Sequence, residues 1–237
     1  MKTITHKAST RGFADYGWLK THYSFSFANY YNPAQINFGV LRVLNDDWIE
    51  GGKGFGKHPH DNMEIITIPI RGQLLHTDSM GHSMVIEPNE VQVMTAGTGI
   101  FHSEFNNSPN EPVELFQIWI FPEKKNLEPR YDQKKFDPVE SENKWQCMVA
   151  PNSSSVLSIN QQAWVMRTKL DKGKSLEYAF NLKGNGAYLF IIEGQISTCG
   201  ISLEKRDGLG IWETDMIAVS AIEQSEVLLM EIPMDVH

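Results

Sequence analysis

Apolar residues recur along this chain in short runs, and helical spacing is scarce. β-Branched, aromatic and aliphatic residues crowd into FGVLRVL (38–44), EIITIPI (64–70), EVQVMTA (90–96) and ELFQIWIF (114–121). They do so again in AWVMRTKL (163–170), AYLFIIEG (187–194), MIAVSAI (216–222) and EVLLMEI (226–232). Gly72, Pro88-Asn89, Gly97 and Gly184-Asn185-Gly186 stand between the runs. Many short strands separated by turn residues predict an all-β protein built from barrels or sandwiches.

The segment PEKKNLEPRYDQKKFDPVESENK (122–144) is charged, carries three prolines and interrupts the strand pattern, so it reads as a linker. On either side lie halves of comparable size. IPIRGQL (68–74) resembles FIIEGQI (190–196), with Gly72 matching Gly194, and a connection and a further strand follow in each half. Two copies of one β-barrel produce such a repeat.

Composition narrows the function. Hydrophobic residues make up 41% and charged residues 21%, ordinary for a globular protein, and the formal net charge is −8. An acidic chain with no basic run beyond Lys124-Lys125 and Lys134-Lys135 argues against direct nucleic-acid binding. Two distant cysteines, Cys147 and Cys199, fit a reducing compartment and lack C-x-x-C spacing, so apolar packing is their expected role. The opening MKTITHKASTRGF has no apolar core of a secretory signal, and no run is long enough to span a membrane. The expectation is a soluble cytoplasmic protein.

The chemistry concentrates in two short motifs. In GFGKHPHDNMEIITIPIRG, His58 and His60 stand two apart, so both side chains of a strand point to one face with Pro59 turned away. A proline there predicts a strand start, an edge or a bulge. In TAGTGIFHSEFNN, His102 and Glu104 form a second such pair, after Gly97 and Gly99 have allowed a tight turn. Converging from neighbouring strands, the pairs would offer three imidazoles and one carboxylate, a plausible site for a divalent transition metal with open positions. Glu64, four residues after His60, shares its face by parity and is a rival carboxylate. The repeat places Phe180 opposite His58 and Leu182 opposite His60, and only His237 of the eight histidines lies beyond His102. One working site and one structural barrel are therefore expected.

HPHDNMEIITIPIRG together with TAGTGIFHSE resembles the pirin family of bicupins, and its bacterial quercetinase-type members closely. GWLKTHYSFSFANYY (17–31), LRVLNDDWIEGGKGFG (41–56), HTDSMG (76–81), LFQIWIFPE (115–123) and PRYDQKKFD (129–137) extend the likeness over most of residues 10–137; the second half matches more loosely. The resemblance implies two tandem cupin barrels: a metal-binding domain over 1–135 and a cupin-like domain lacking ligands over 136–237. It implies His58, His60, His102 and Glu104 as ligands of iron, though other divalent metals suit the same donors. Glu64 is then expected to support a ligand or the fold. His76 and Asp78 read as a turn held by side-chain hydrogen bonds, with a supporting role at the pocket as the rival reading. Phe25, Phe27, Tyr30 and Tyr31 read as core or as walls of a flavonoid pocket.

The activity implied by the resemblance is an oxidoreductase that cleaves flavonols such as quercetin with O2 and releases carbon monoxide. Glu104 would serve as both ligand and general base. The other reading is a metal-dependent redox sensor, without enzymatic activity, acting on protein partners through the same four ligands.

Overall fold

A computed structural model describes residues 1–236. Nearly all of its regular structure is strand, arranged in four sheets that form two barrels. In the N-terminal half, a seven-stranded sheet runs Arg130–Lys135, Glu90–Thr95, Glu64–Arg71, Val113–Ile120, Leu41–Ile49, Leu19–Tyr23 and Gly12–Asp15 in spatial order. A four-stranded sheet of Gly54–His60, Ile100–Asn106, Leu74–Asp78 and Ser83–Ile86 closes that barrel. The C-terminal half repeats the plan, with Ser175–Ala179, Met216–Ala221, Gln195–Thr198 and Ile201–Glu204 as its four-stranded sheet. The expected all-β pair of barrels is present. No helix of the described residues is long and apolar enough to cross a membrane.

The apolar runs look continuous because their strands are buried on both faces. Along Val113–Ile120, Leu115, Gln117 and Trp119 turn into the barrel, whereas Phe116, Ile118 and Ile120 turn outward. The outward set joins Phe190, Ile192, Leu228 and Met230 in one large core between the two seven-stranded sheets. Phe116 meets Phe190 edge-on there, with ring centroids 5.4 Å apart.

The barrel interiors differ. The C-terminal one is filled by a single apolar cluster that includes Leu189, Ile191, Ile196, Leu203, Val219 and Leu229. Its N-terminal counterpart is split into a cluster around Ile49, Leu74 and Leu115 and another around Ile65, Met94 and Ile100. Polar side chains lie between them.

Two features depart from the sequence reading. The stretch expected to be a linker contains the strand Arg130–Lys135, which pairs with Glu90–Thr95 at the sheet edge. Its charged residues face outward, while Gln133 reaches in to Glu90 and the Val85 carbonyl. The first strand, Lys2–His6, pairs with Gly208–Trp212 of the C-terminal barrel before the chain returns to the N-terminal one. The cysteines are free and only half-buried.

Asp46 ties the barrels together. Its carboxylate accepts from Arg11 Nη1 at 3.3 Å and from Arg206 Nε at 2.7 Å. Arg206 also lies over the Phe116 ring, and Arg11 over Phe190. Removing the shared carboxylate leaves two largely buried guanidinium groups unpaired. Asp46→Ala is expected to cost about 3–5 kcal/mol in urea unfolding. A loss below about 1 kcal/mol, the value of an exposed pair, would contradict this lock.

Candidate metal centre

Gly54–His60 is the edge strand of its sheet, where Pro59 needs no partner for its missing N–H. It pairs antiparallel with Ile100–Asn106, so that His58 lies opposite His102 and His60 opposite Ile100. The register shifts between His102 and Glu104, which brings Glu104 opposite Phe55. Gly54 permits that approach, since a Cβ there would stand 2.2 Å from the Glu104 carbonyl oxygen. The turn before His102 uses positive φ at Gly97 (51°) and Gly99 (134°), values that suit glycine.

The three imidazoles His58, His60 and His102 converge. Their ring centroids are 4.4–4.9 Å apart, and the Nε2 atoms of His58 and His102 are separated by 2.9 Å. Two nitrogens bound at right angles to one cation, each at about 2.1 Å, stand roughly 3.0 Å apart, so the spacing fits a shared metal. Glu104 falls in a second cluster, within ligand range of His102 and His76, which does not include His58 and His60. Its Oε1 accepts from Gln117 Nε2 at 2.7 Å.

Burial keeps two of the imidazoles in the form a metal binds. Burial, reinforced by the other imidazoles, lowers His60 to about 4 and His102 to about 2, so both rings are neutral at pH 7. Neutral imidazole is the ligand form. Burial, with a smaller contribution from the Asp47 charge, raises the Glu104 carboxyl to about 7.

Hydrogen bonds select which nitrogen of His58 and of His102 is free. His58 Nδ1 donates to the Gly56 carbonyl at 2.7 Å, leaving the Nε2 lone pair to face His102. His102 Nδ1 lies 3.5 Å from His76 Nδ1, and His76 Nε2 lies 3.2 Å from Asp78 Oδ2. The carboxylate assigns the His76 proton to Nε2; His76 Nδ1 then accepts from His102, whose Nε2 is freed toward the metal site. Tyr131 packs its ring against both His76 and His82.

Several sequence expectations change here. His76 is a fully buried strand residue, and only Asp78 holds the following turn, by accepting from the Met80 and His82 amides. Glu64 does not share a face with His60, because residues 61–63 end one strand before the next begins. It turns toward the other barrel, accepting from Thr95 Oγ1 at 3.0 Å and Asn160 Nδ2 at 3.1 Å. Leu182 lies exposed beyond its strand, while Tyr178 and Phe180 pack at that end of the C-terminal barrel. Among the described residues, both clusters of three ligating side chains involve His102.

A cavity of about 410 Å³ opens onto the imidazoles, walled by Trp18, Tyr23, Phe27, Phe55 and Trp119. Of the four aromatics singled out from sequence, only Phe27 lines it. Phe25 is buried between the barrels, Tyr30 stacks on Tyr23, and Tyr31 is 75% exposed. Sequence reasoning missed Trp119 and Gln117, although their alternation within ELFQIWIF was the available signal.

His76→Phe keeps a ring but removes the acceptor for His102 Nδ1–H. Nickel affinity is expected to fall about tenfold or more, and nitrogen NMR of the metal-free protein should show His102 exchanging between tautomers. Unchanged affinity with unchanged shifts would contradict the relay.

Residues 5–120 match the Pirin family model, and residues 147–232 match that of the quercetinase C-terminal cupin domain. A protein of Escherichia coli K12 named quercetin 2,3-dioxygenase is 40% identical, over 96% of this chain and 97% of its own length. A pirin-like protein of Caulobacter vibrioides is 38% identical, over 93% and 95% respectively. The crystal structure of a bacterial pirin from Escherichia coli in complex with nickel(II) superposes with a TM-score of 0.93 at 38% identity, covering 99% of this chain and 100% of that one. The chain belongs to the pirin family.

Proposed function

We propose that this protein is an iron-dependent dioxygenase that opens flavonols such as quercetin with O2 and releases carbon monoxide. His58, His60, His102 and Glu104 are its metal ligands. The domain over 1–135 carries the site, and that over 136–237 is a structural barrel. The observation that carries the reading is a set of three converging imidazoles, two of them held neutral by burial, and a buried carboxylate at the wall of an aromatic cavity. It stands in a chain 40% identical to a protein named quercetin 2,3-dioxygenase.

When bound, the metal supplies Lewis acidity toward the flavonol 3-hydroxyl. The side chains supply the rest. Glu104, a buried carboxylate on the cavity wall, is placed to accept the 3-hydroxyl proton. Gln117, donating at 2.7 Å, fixes the carboxylate so that its second oxygen is left for this work. Trp119 and Phe27, edge to face with centroids 5.2 Å apart, form a wall against which planar rings can lie. The cavity falls within the range of about 300–1,000 Å³ usual for small-molecule sites, and its apolar walls exclude water from the electron-rich flavonolate.

Iron-loaded protein is expected to consume O2 when given quercetin, with carbon monoxide released in equal amount and a chelator stopping both. The measurement pairs an oxygen electrode with carbon monoxide capture by reduced haem protein. Flavonol decay no faster than with free iron would overturn the enzyme reading and favour the metal-dependent regulator.

A further inference from the structure

The strand Leu41–Ile49 presents two neighbouring carboxylates to opposite faces. Asp46 turns outward to Arg11 and Arg206, whereas Asp47 turns into the cavity. Among the described residues, no cation forms an ion pair with Asp47, and Arg11 pairs with Asp46 instead. Beside Asp47, Asn45 lines the same cavity, and Thr21 lies directly across from Asp47 on the adjacent strand Leu19–Tyr23. The three residues are 2–5% exposed, and Asp47 Oδ1, Asn45 Oδ1 and Thr21 Oγ1 all lack a hydrogen-bond partner. Thr21 stands close enough to favour the Asp47 carboxylate weakly, without a hydrogen bond of ordinary geometry.

Buried polar atoms are almost always paired, and an unpaired carboxylate oxygen is among the most costly to leave so. Three such atoms on one wall are a site built to be completed from outside the chain. The wall belongs to the seven-stranded sheet, whereas His58, His60, His102 and Glu104 belong to the four-stranded sheet. Asp47 is in neither cluster of ligating side chains. What the wall presents is oxygen, and its complement is a set of hydroxyl donors.

We infer that Asp47 and Asn45, with Thr21, form an acceptor site for the peripheral hydroxyl groups of a planar polyphenol whose reacting hydroxyl lies at the metal. The inference rests on the flavonol reading of the cavity and names what selects among flavonols. Asp47 is a specificity-determining residue: its acceptor is satisfied by a hydroxylated ring and left buried and unanswered by a bare one. A site of this kind rejects an analogue that lacks the hydroxyl more strongly than an apolar pocket rejects a missing methylene. Burial also raises the Asp47 carboxyl to about 7, which Thr21 and the Arg11 charge offset only in part.

The test compares quercetin with 3-hydroxyflavone, which keeps the reacting hydroxyl and lacks the peripheral ones. Binding to iron-loaded protein is followed without oxygen by quenching of tryptophan fluorescence, so turnover does not enter. The wild-type protein is expected to bind quercetin at least about tenfold more tightly, the scale of a hydrogen bond to a charged acceptor. Asp47→Leu should bring the two affinities to within about threefold, chiefly by weakening quercetin. Asp47→Asn, which keeps an acceptor oxygen, should retain part of the preference. Metal content and melting temperature of each variant establish that fold and iron are intact. The wild-type comparison needs no variant and can fail by itself. Equal affinity for the two flavonols, or a preference that survives Asp47→Leu, would overturn this inference and leave the flavonol reading standing. Binding of neither flavonol would overturn both.

Discussion

A layer of imidazole and carboxylate groups inside a β-barrel persists only if each member is answered by a hydrogen bond, a cation or a ligand. That requirement organises the N-terminal half. Gln92, Thr67, Gln117 and Asn45 lie side by side across four neighbouring strands, on the face that would otherwise be an apolar barrel wall. Gln117 answers Glu104, Asp78 answers His76, and the Gly56 carbonyl answers His58. Asn45, Asp47 and Thr21 present unpaired oxygens on the cavity wall, and the Gln92 amide is buried without a partner.

Stability comes from elsewhere. The polar layer divides the N-terminal interior into two small apolar clusters, while the C-terminal barrel keeps one continuous core and the two large sheets bury a third between them. The C-terminal barrel thus acts as a fixed support that covers the outer face of the strands bearing the cavity wall. Glu64 belongs to that support. Its bonds to Thr95 and Asn160 join the barrels on the side of the strand away from the metal site.

Much of this was legible in the sequence, for a simple reason. Period two is exact along a strand, so His58-Pro59-His60 and His102-Ser103-Glu104 each declare a shared face. The same rule failed for Glu64 because it was carried across the break at residues 61–63, where parity has no meaning. Arg130–Lys135 was hidden by its charges, which suit an exposed edge as well as a linker. His76 was hidden by turn-forming neighbours that proved to serve Asp78 alone. Asn45-Asp46-Asp47 shows that the two aspartates face opposite ways, but only the packed sheets reveal that Asp46 meets arginines and Asp47 the cavity. Cavity residues such as Tyr16 and Trp18 come from segments whose placement depends on long-range packing.

The proposed centre is one metal held in the N-terminal barrel by three imidazoles and Glu104. Anomalous diffraction from iron-loaded crystals measures this directly. One peak per chain is expected, within bonding distance of nitrogens of His58, His60 and His102 and of a Glu104 oxygen. A peak bound by Glu64 in place of Glu104, or a second of equal height in the C-terminal barrel, would contradict it.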